Sequence, residues 1–158
     1  MNQGKGNKVQ QYGARNLSAY RKTEVQTAGR LDVLVMLYDG AIRFMNQAKG
    51  HIQANEIAEK GKYIGKAMAI ISEFKNTLNY EQAPELAGNL DRLYDFIQDR
   101  LQAANIKNDV TPLDEAVKIT ETLREGWKEL QKRQRAGNLE NNDETKKSQS
   151  NNYFRISV

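Results

Sequence analysis

Four stretches of this chain place apolar residues at alternating three- and four-residue steps, the spacing that returns a side chain to the same face of an α-helix. The first reads Leu31, Leu34, Tyr38, Ala41, Ile42, Met45 and Ala48, and the second Ile64, Ala67, Ile71, Phe74 and Leu78. The third reads Leu86, Leu90, Leu93, Ile97, Leu101 and Ala104, and the fourth Leu113, Val117, Thr120, Leu123, Trp127 and Leu130. The only two prolines, Pro84 and Pro112, stand where the third and fourth stretches begin, a position that tolerates a missing amide hydrogen. Thr111 before Pro112, with Asp114 and Glu115 following, predicts a hydroxyl cap, a preset φ angle and acids at the positive end of the helix dipole. Breaks fall at Gly50 to Asn55, Tyr80 to Ala83 and Asn105 to Asp109, and connections this short make successive helices antiparallel neighbours. The expectation is an all-α, antiparallel four-helix bundle with a short N-terminal helix within Tyr12 to Gln26.

The domain limits follow from composition. Residues 1–15 read as a flexible N-terminus, 16–134 as the helical-bundle domain and 135–158 as a disordered polar tail. From Gln134 the chain is Asn, Gln, Ser, Lys and Glu, with almost nothing to bury until Tyr153, Phe154 and Ile156. A chain of 158 residues suits one core and is too short for two.

Charge distribution narrows the partners. The formal net charge is +4, yet residues 1–22 hold five Lys/Arg and no acid, and residues 131–158 hold six against three. The body between them has 13 Lys/Arg and 17 Asp/Glu, so the predicted bundle is mildly acidic. A nucleic-acid reader carries its basic stripe on the folded domain, and no nucleic-acid partner is expected here. The longest apolar run, Val33 to Tyr38, is far short of the roughly 20 residues of a membrane span. With no secretory signal at the start and no cysteine, the expected location is the cytoplasm, without membrane insertion.

Catalytic chemistry has little to work with. His51 is the only histidine, and Ala48 stands three residues before it, so the Glu-x-x-His pairs of di-iron bundles are absent. His51 falls near a predicted helix C-terminus, where an imidazolium suits the last carbonyls. Gly61 and Gly65 stand inside a helical pattern with no strand before them, unlike a phosphate-binding loop. The carboxylate pairs Glu121/Glu125 and Asp91/Asp95 recur at four-residue spacing among Lys118, Lys128 and Arg92, as on solvated helix faces. No enzyme activity, catalytic residue, metal or cofactor is expected.

The first long helix carries more apolar surface than a core needs. Val33, Met36, Gly40 and Phe44 form a second stripe beside the core set, and together they span an arc on the order of 260° around the axis. A surface helix needs a stripe of only about 100°. Either neighbouring segments cover the second stripe, or it is a groove for a partner helix, for which Met36 and Met68 would adapt their shape. A segment that covers the groove when empty and leaves when the partner arrives satisfies both readings. Tyr38 and Trp127 are expected in the core, where the hydroxyl and the indole N–H each need a partner.

Residues 19–48, AYRKTEVQTAGRLDVLVMLYDGAIRFMNQA, resemble the signature stretch of the flagellar secretion chaperones, the FliS family. That stretch reads approximately A-Y-x(4)-V-x-T-A, then a leucine, then M-L-Y-D-G-A-I-R. KAMAII at 66–71, NLDRLYDFI at 89–97, Leu101-x-x-Ala104-Asn105, and Leu123-Arg124 with Trp127 match the later blocks in order and spacing. The resemblance extends from Tyr20 to Leu130. It implies a four-helix bundle with a short N-terminal helix, no cofactor, and a role in holding the C-terminal segment of flagellin. Such chaperones keep that segment from polymerising and deliver flagellin to the flagellar type III export apparatus, whose gate is a second candidate partner.

The residues expected to form the flagellin groove are Val33, Met36, Leu37, Gly40, Ala41 and Phe44, with Ile64, Met68 and Ile71. Leu37 and Ala41 border the core. The resemblance makes Leu17 and Tyr20 an N-terminal latch over part of that groove. Gly29-Arg30 replaces the family's usual Ser-Pro, which predicts a looser or shifted start to the first long helix. An exposed groove is compatible with a monomer or a weak homodimer. The alternative function is a helical adaptor for some other amphipathic segment.

Overall fold

The computed structural model describes residues 29–155, with side chains through Glu144 except Asn142. The expected N-terminal helix and the latch residues Leu17 and Tyr20 lie outside the described residues. Four helices follow one another: α1 (Gly29–Gln53), α2 (Ile57–Asn76), α3 (Pro84–Lys107) and α4 (Val110–Arg155). Each packs on two neighbours, α1 on α2 and α4, and α3 on α2 and α4, so the four form a square bundle.

Pairs between helix ends show the antiparallel order. Lys75 near the end of α2 holds Asp91 (3.5 Å) and Asp95 near the start of α3. Arg100 of α3 reaches Glu115 of α4 at 3.5 Å, and Lys49 at the end of α1 reaches Asp114 at 2.7 Å. Asp32 in the first turn of α1 takes Arg135 far along α4 at 3.0 Å.

Local chemistry sets the helix ends. α1 starts at Gly29 with φ +80°, a backbone state open to glycine at little cost, where a proline would hold φ near −65°. Asn55 (φ 56°) and Asn108 (φ 51°) turn the chain through left-handed positions between helices, as asparagine tolerates. The fourth helix begins earlier than the Thr111 cap predicts. It starts at Val110, and Asp109 Oδ1 accepts the Thr111 N–H at 3.0 Å, the carboxylate taking the capping role.

The core runs along the bundle through Tyr38, Met45, Ile64, Ile71, Ile97 and Leu101. The third stripe is rotated from its predicted face: Leu86 and Leu93 are exposed, and Ala87 and Tyr94 face inward with Leu90 and Ile97. Tyr94 brings more apolar area into the core than a leucine and finds a partner for its hydroxyl there. Turning the helix to seat it moves Leu86 and Leu93 out.

Lys60 in the first turn of α2 is buried. Its ammonium donates to the Asn105 carbonyl at 2.9 Å and to Asn108 Oδ1 at 3.3 Å, closing the end of α3 as a cation suits a helix C-terminus. The boundary expected between residues 134 and 135 falls inside α4, which continues to Arg155. Every residue from Lys132 to Glu140 except Gly137 is exposed, so this part of α4 has no buried apolar face; its ion pairs are the Arg135–Asp32 contact to α1 and along-helix pairs such as Arg133–Glu129 at 3.7 Å.

Candidate apolar groove

The run Val33 to Tyr38 is explained by the position of α1 between two helices. Val35 and Ile42 are buried, and Asp39 on the same side pairs with Arg124 of α4 at 3.1 Å. Leu37 and Phe44 are half-buried against the core. A further strip remains uncovered among the described residues: Met36 is 44% exposed and lines a cavity of about 740 Å³ between α1 and α2. Val33, Leu37, Asp39, Gly40, Arg43 and Phe44 line it from α1, and Ala69, Ile70 and Glu73 from α2. Through Val33, Leu37 and Glu73 it continues into a hollow of about 370 Å³ beside Arg30 and Leu34. Leu34, Phe74 and Thr77 then lead to a third hollow of about 210 Å³ that reaches Leu86 and Trp127. These shared residues make one apolar trough from Phe44 to the open end of the bundle.

Five of the nine expected groove residues, Val33, Met36, Leu37, Gly40 and Phe44, are therefore brought together. The other four are placed elsewhere. Ala41, Ile64 and Ile71 are buried in the core, because they carry the three- and four-residue spacing that packs α1 and α2 together. Met68 is half-buried on the α3 side of α2, sharing a stripe with Ser72, whose hydroxyl accepts from Gln98 at 2.8 Å. Ile70 takes the place expected of Met68. A Cβ built on Gly40 would stand 3.7 Å from Ile70 Cδ1, so this glycine forms the floor of the groove under Ile70. The signal for Ile70 was present in Ile70-Ile71: once Ile71 joins the core stripe, the adjacent isoleucine points about 100° away.

The Phe44 end of the groove is basic and aromatic. Lys66 Nζ lies 5.3 Å from the Phe44 ring centroid and 5.2 Å from that of Tyr63. The Arg43 guanidinium stands 5.7 Å from Phe44. His51, in the last turn of α1, stacks on Tyr63 at 5.2 Å and its Nδ1 faces Glu56 at 3.5 Å.

Beneath the trough, the Tyr38 and Tyr94 hydroxyls share a buried hydrogen bond of 2.6 Å. Burial pushes both phenols above their ordinary range, and the proximity of Tyr38 adds to the rise at Tyr94. Trp127 lies beside the Tyr38 hydroxyl, but its Nε1 is buried outside hydrogen-bonding geometry. Tyr38 thus finds the partner a core tyrosine needs, and Trp127 does not. Among the described residues no cluster of His, Asp and Glu is arranged to hold a metal ion, and no helix is long and apolar enough to cross a membrane.

Fold and site together define a four-helix bundle presenting an apolar groove between its first two helices. The profile of the flagellar protein FliS family matches residues 13–134, and the chain belongs to that family. It is 38% identical to the flagellar secretion chaperone FliSB of Pseudomonas aeruginosa over 106 residues, covering 67% of this chain and 84% of the relative. It is 34% identical to flagellar secretion chaperone FliS of Vibrio cholerae over 119 residues (73% and 88%) and to that of Bacillus subtilis over 112 residues (71% and 83%). A crystal structure of a bacterial flagellar chaperone superposes with a TM-score of 0.63 at 18% identity, over 75% of this chain and 98% of that one.

Proposed function

We propose that this chain is a flagellin export chaperone whose α1/α2 groove holds the C-terminal segment of flagellin in the cytosol. The observation that carries the reading is the apolar trough around Met36, uncovered among the described residues, in a chain of the FliS family. Flagellin's terminal segments must stay unpaired until export, and a reversible groove gives their apolar side chains a monomeric alternative to self-association. The bound flagellin is then passed to the flagellar type III export apparatus. No bond is made or broken in this cycle. Binding is competition for one apolar surface, with Leu17 and Tyr20 as the intramolecular competitor when the groove is empty.

Calorimetric titration of the full chain with a peptide covering the C-terminal segment of flagellin from the same organism tests the reading. Saturable one-to-one binding with a negative heat-capacity change is expected, the mark of apolar burial. No binding by a bundle shown folded by circular dichroism would overturn it and favour an adaptor for another segment.

A further inference from the structure

At the Phe44 end of the groove, three cations converge on two rings. Lys66 lies over both Phe44 and Tyr63, Arg43 over Phe44, and Lys62 over Tyr63 at 5.8 Å. Among the described residues, none of the three forms an ion pair with a carboxylate, whereas Lys49, Lys75, Arg100 and Arg124 each hold one on another helix. Of the acids nearest along the chain, Asp39 pairs with Arg124, Glu56 faces His51, and Glu59 makes no ion pair among the described residues, while Asp39 and Glu73 line the same cavity as Arg43. The aromatic faces hold these cations beside the apolar floor, and Arg43 and Phe44 line the groove itself. The result is a cluster of three cations beside the Phe44 end of a trough whose own lining also carries Asp39 and Glu73.

We propose that Arg43, Lys62 and Lys66 recognise a carboxylate of the segment that occupies the groove: the client carries an Asp or Glu adjoining its apolar anchors, and this cluster reads it. The proposal rests on the flagellin-binding reading and adds a polar determinant to it. Apolar contacts along Met36, Leu37 and Ile70 are tolerant of sequence, whereas an ion pair at one end selects among segments of similar hydrophobicity and sets their register.

The test is a double-mutant cycle by calorimetry. The full chain and its Arg43→Gln/Lys66→Gln variant are titrated with the flagellin C-terminal peptide, and with peptides in which each Asp or Glu is replaced singly by its amide, at low and high salt. The expected result is a loss of about three- to tenfold in affinity for the variant, most of the salt dependence gone, and one amide peptide that loses the same factor against the native chain but nothing further against the variant. Lys118→Gln on the exposed face of α4 serves as the control and should change neither. Equal affinity and equal salt slope for the native chain and the double variant would overturn the proposal. If Met36→Glu still abolished binding, the groove reading would survive alone, and no binding by the native chain would remove both. Unchanged peptide affinity, with binding to phosphatidylglycerol vesicles lost in the variant, would assign the cluster to a membrane surface instead.

Discussion

The Tyr38 and Tyr94 hydroxyls meet 2.6 Å apart in the core, joining α1 to α3 across the diagonal of a bundle in which those helices share no backbone contact. Phe74 of α2 stacks on Tyr38 at 4.4 Å between centroids and leans on Tyr94 at 5.6 Å, so three helices are keyed through these rings. Tyr38→Phe leaves the Tyr94 hydroxyl buried without its partner and should cost about 1–3 kcal/mol. The double change to phenylalanine removes both polar groups and should recover part of that loss. Urea unfolding of the two variants beside the native chain measures both.

The same pair makes stability fall in alkali. Both phenols are raised above the ordinary value of 10.0, so above that pH the unfolded chain releases protons that the folded chain retains, and stability declines as pH rises. Lys75, raised above 10.5 mainly by its hydrogen bond to Asp95, acts in the same direction: its contribution is present below that value and is lost above it. The Tyr38→Phe/Tyr94→Phe protein, which retains Lys75, should lose less stability between about pH 9.5 and 11, around the ordinary phenol pKa. Unfolding midpoints across it provide the check.

Ile70 and Ile71 are neighbours with opposite roles. Ile71 is fully buried, and Ile71→Ala should destabilise the bundle by about 2–5 kcal/mol. Ile70 lines the groove and is half-buried against the core, and Ile70→Ala should cost less stability than Ile71→Ala while weakening peptide binding. Met36→Glu, at a position 44% exposed, should leave helical content intact while weakening peptide binding at least about tenfold. Global unfolding of either groove variant would mean that the stripe is core.

Lys60 links α2 to the end of α3 through the Asn105 carbonyl and Asn108 Oδ1. Lys60→Met keeps the length of the apolar stem but leaves those acceptors without their cation, and should cost about 1–3 kcal/mol. Hydrogen exchange should show the loss first at the last turn of α3.

Replacing both Leu17 and Tyr20 by alanine should speed or tighten peptide binding, since an intramolecular competitor for the groove is weakened. Stopped-flow association and equilibrium titration measure the two effects, and no change in either would remove the latch.

Amino-acid order by itself determined the four helices, their antiparallel sequence and most of the core, because period, short connections and the placement of Pro84 and Pro112 are local properties. It also showed that α1 carries more apolar surface than one packing face uses. Tertiary structure decided which surplus residues line the groove. Ala41 and Phe44 are both apolar and lie within one turn of α1, yet the approach of α2 buries Ala41 and leaves Phe44 at the groove. The same approach exchanges Met68 for Ile70, and the seating of Tyr94 against Tyr38 turns Leu86 and Leu93 outward. Lys60 reads in sequence as another solvated charge, and only the fold brings it to the open carbonyl of Asn105. Periodicity defines a helix's faces to within a residue, whereas a groove is the space between two helices, and its lining depends on their relative rotation, which no single stretch of sequence contains.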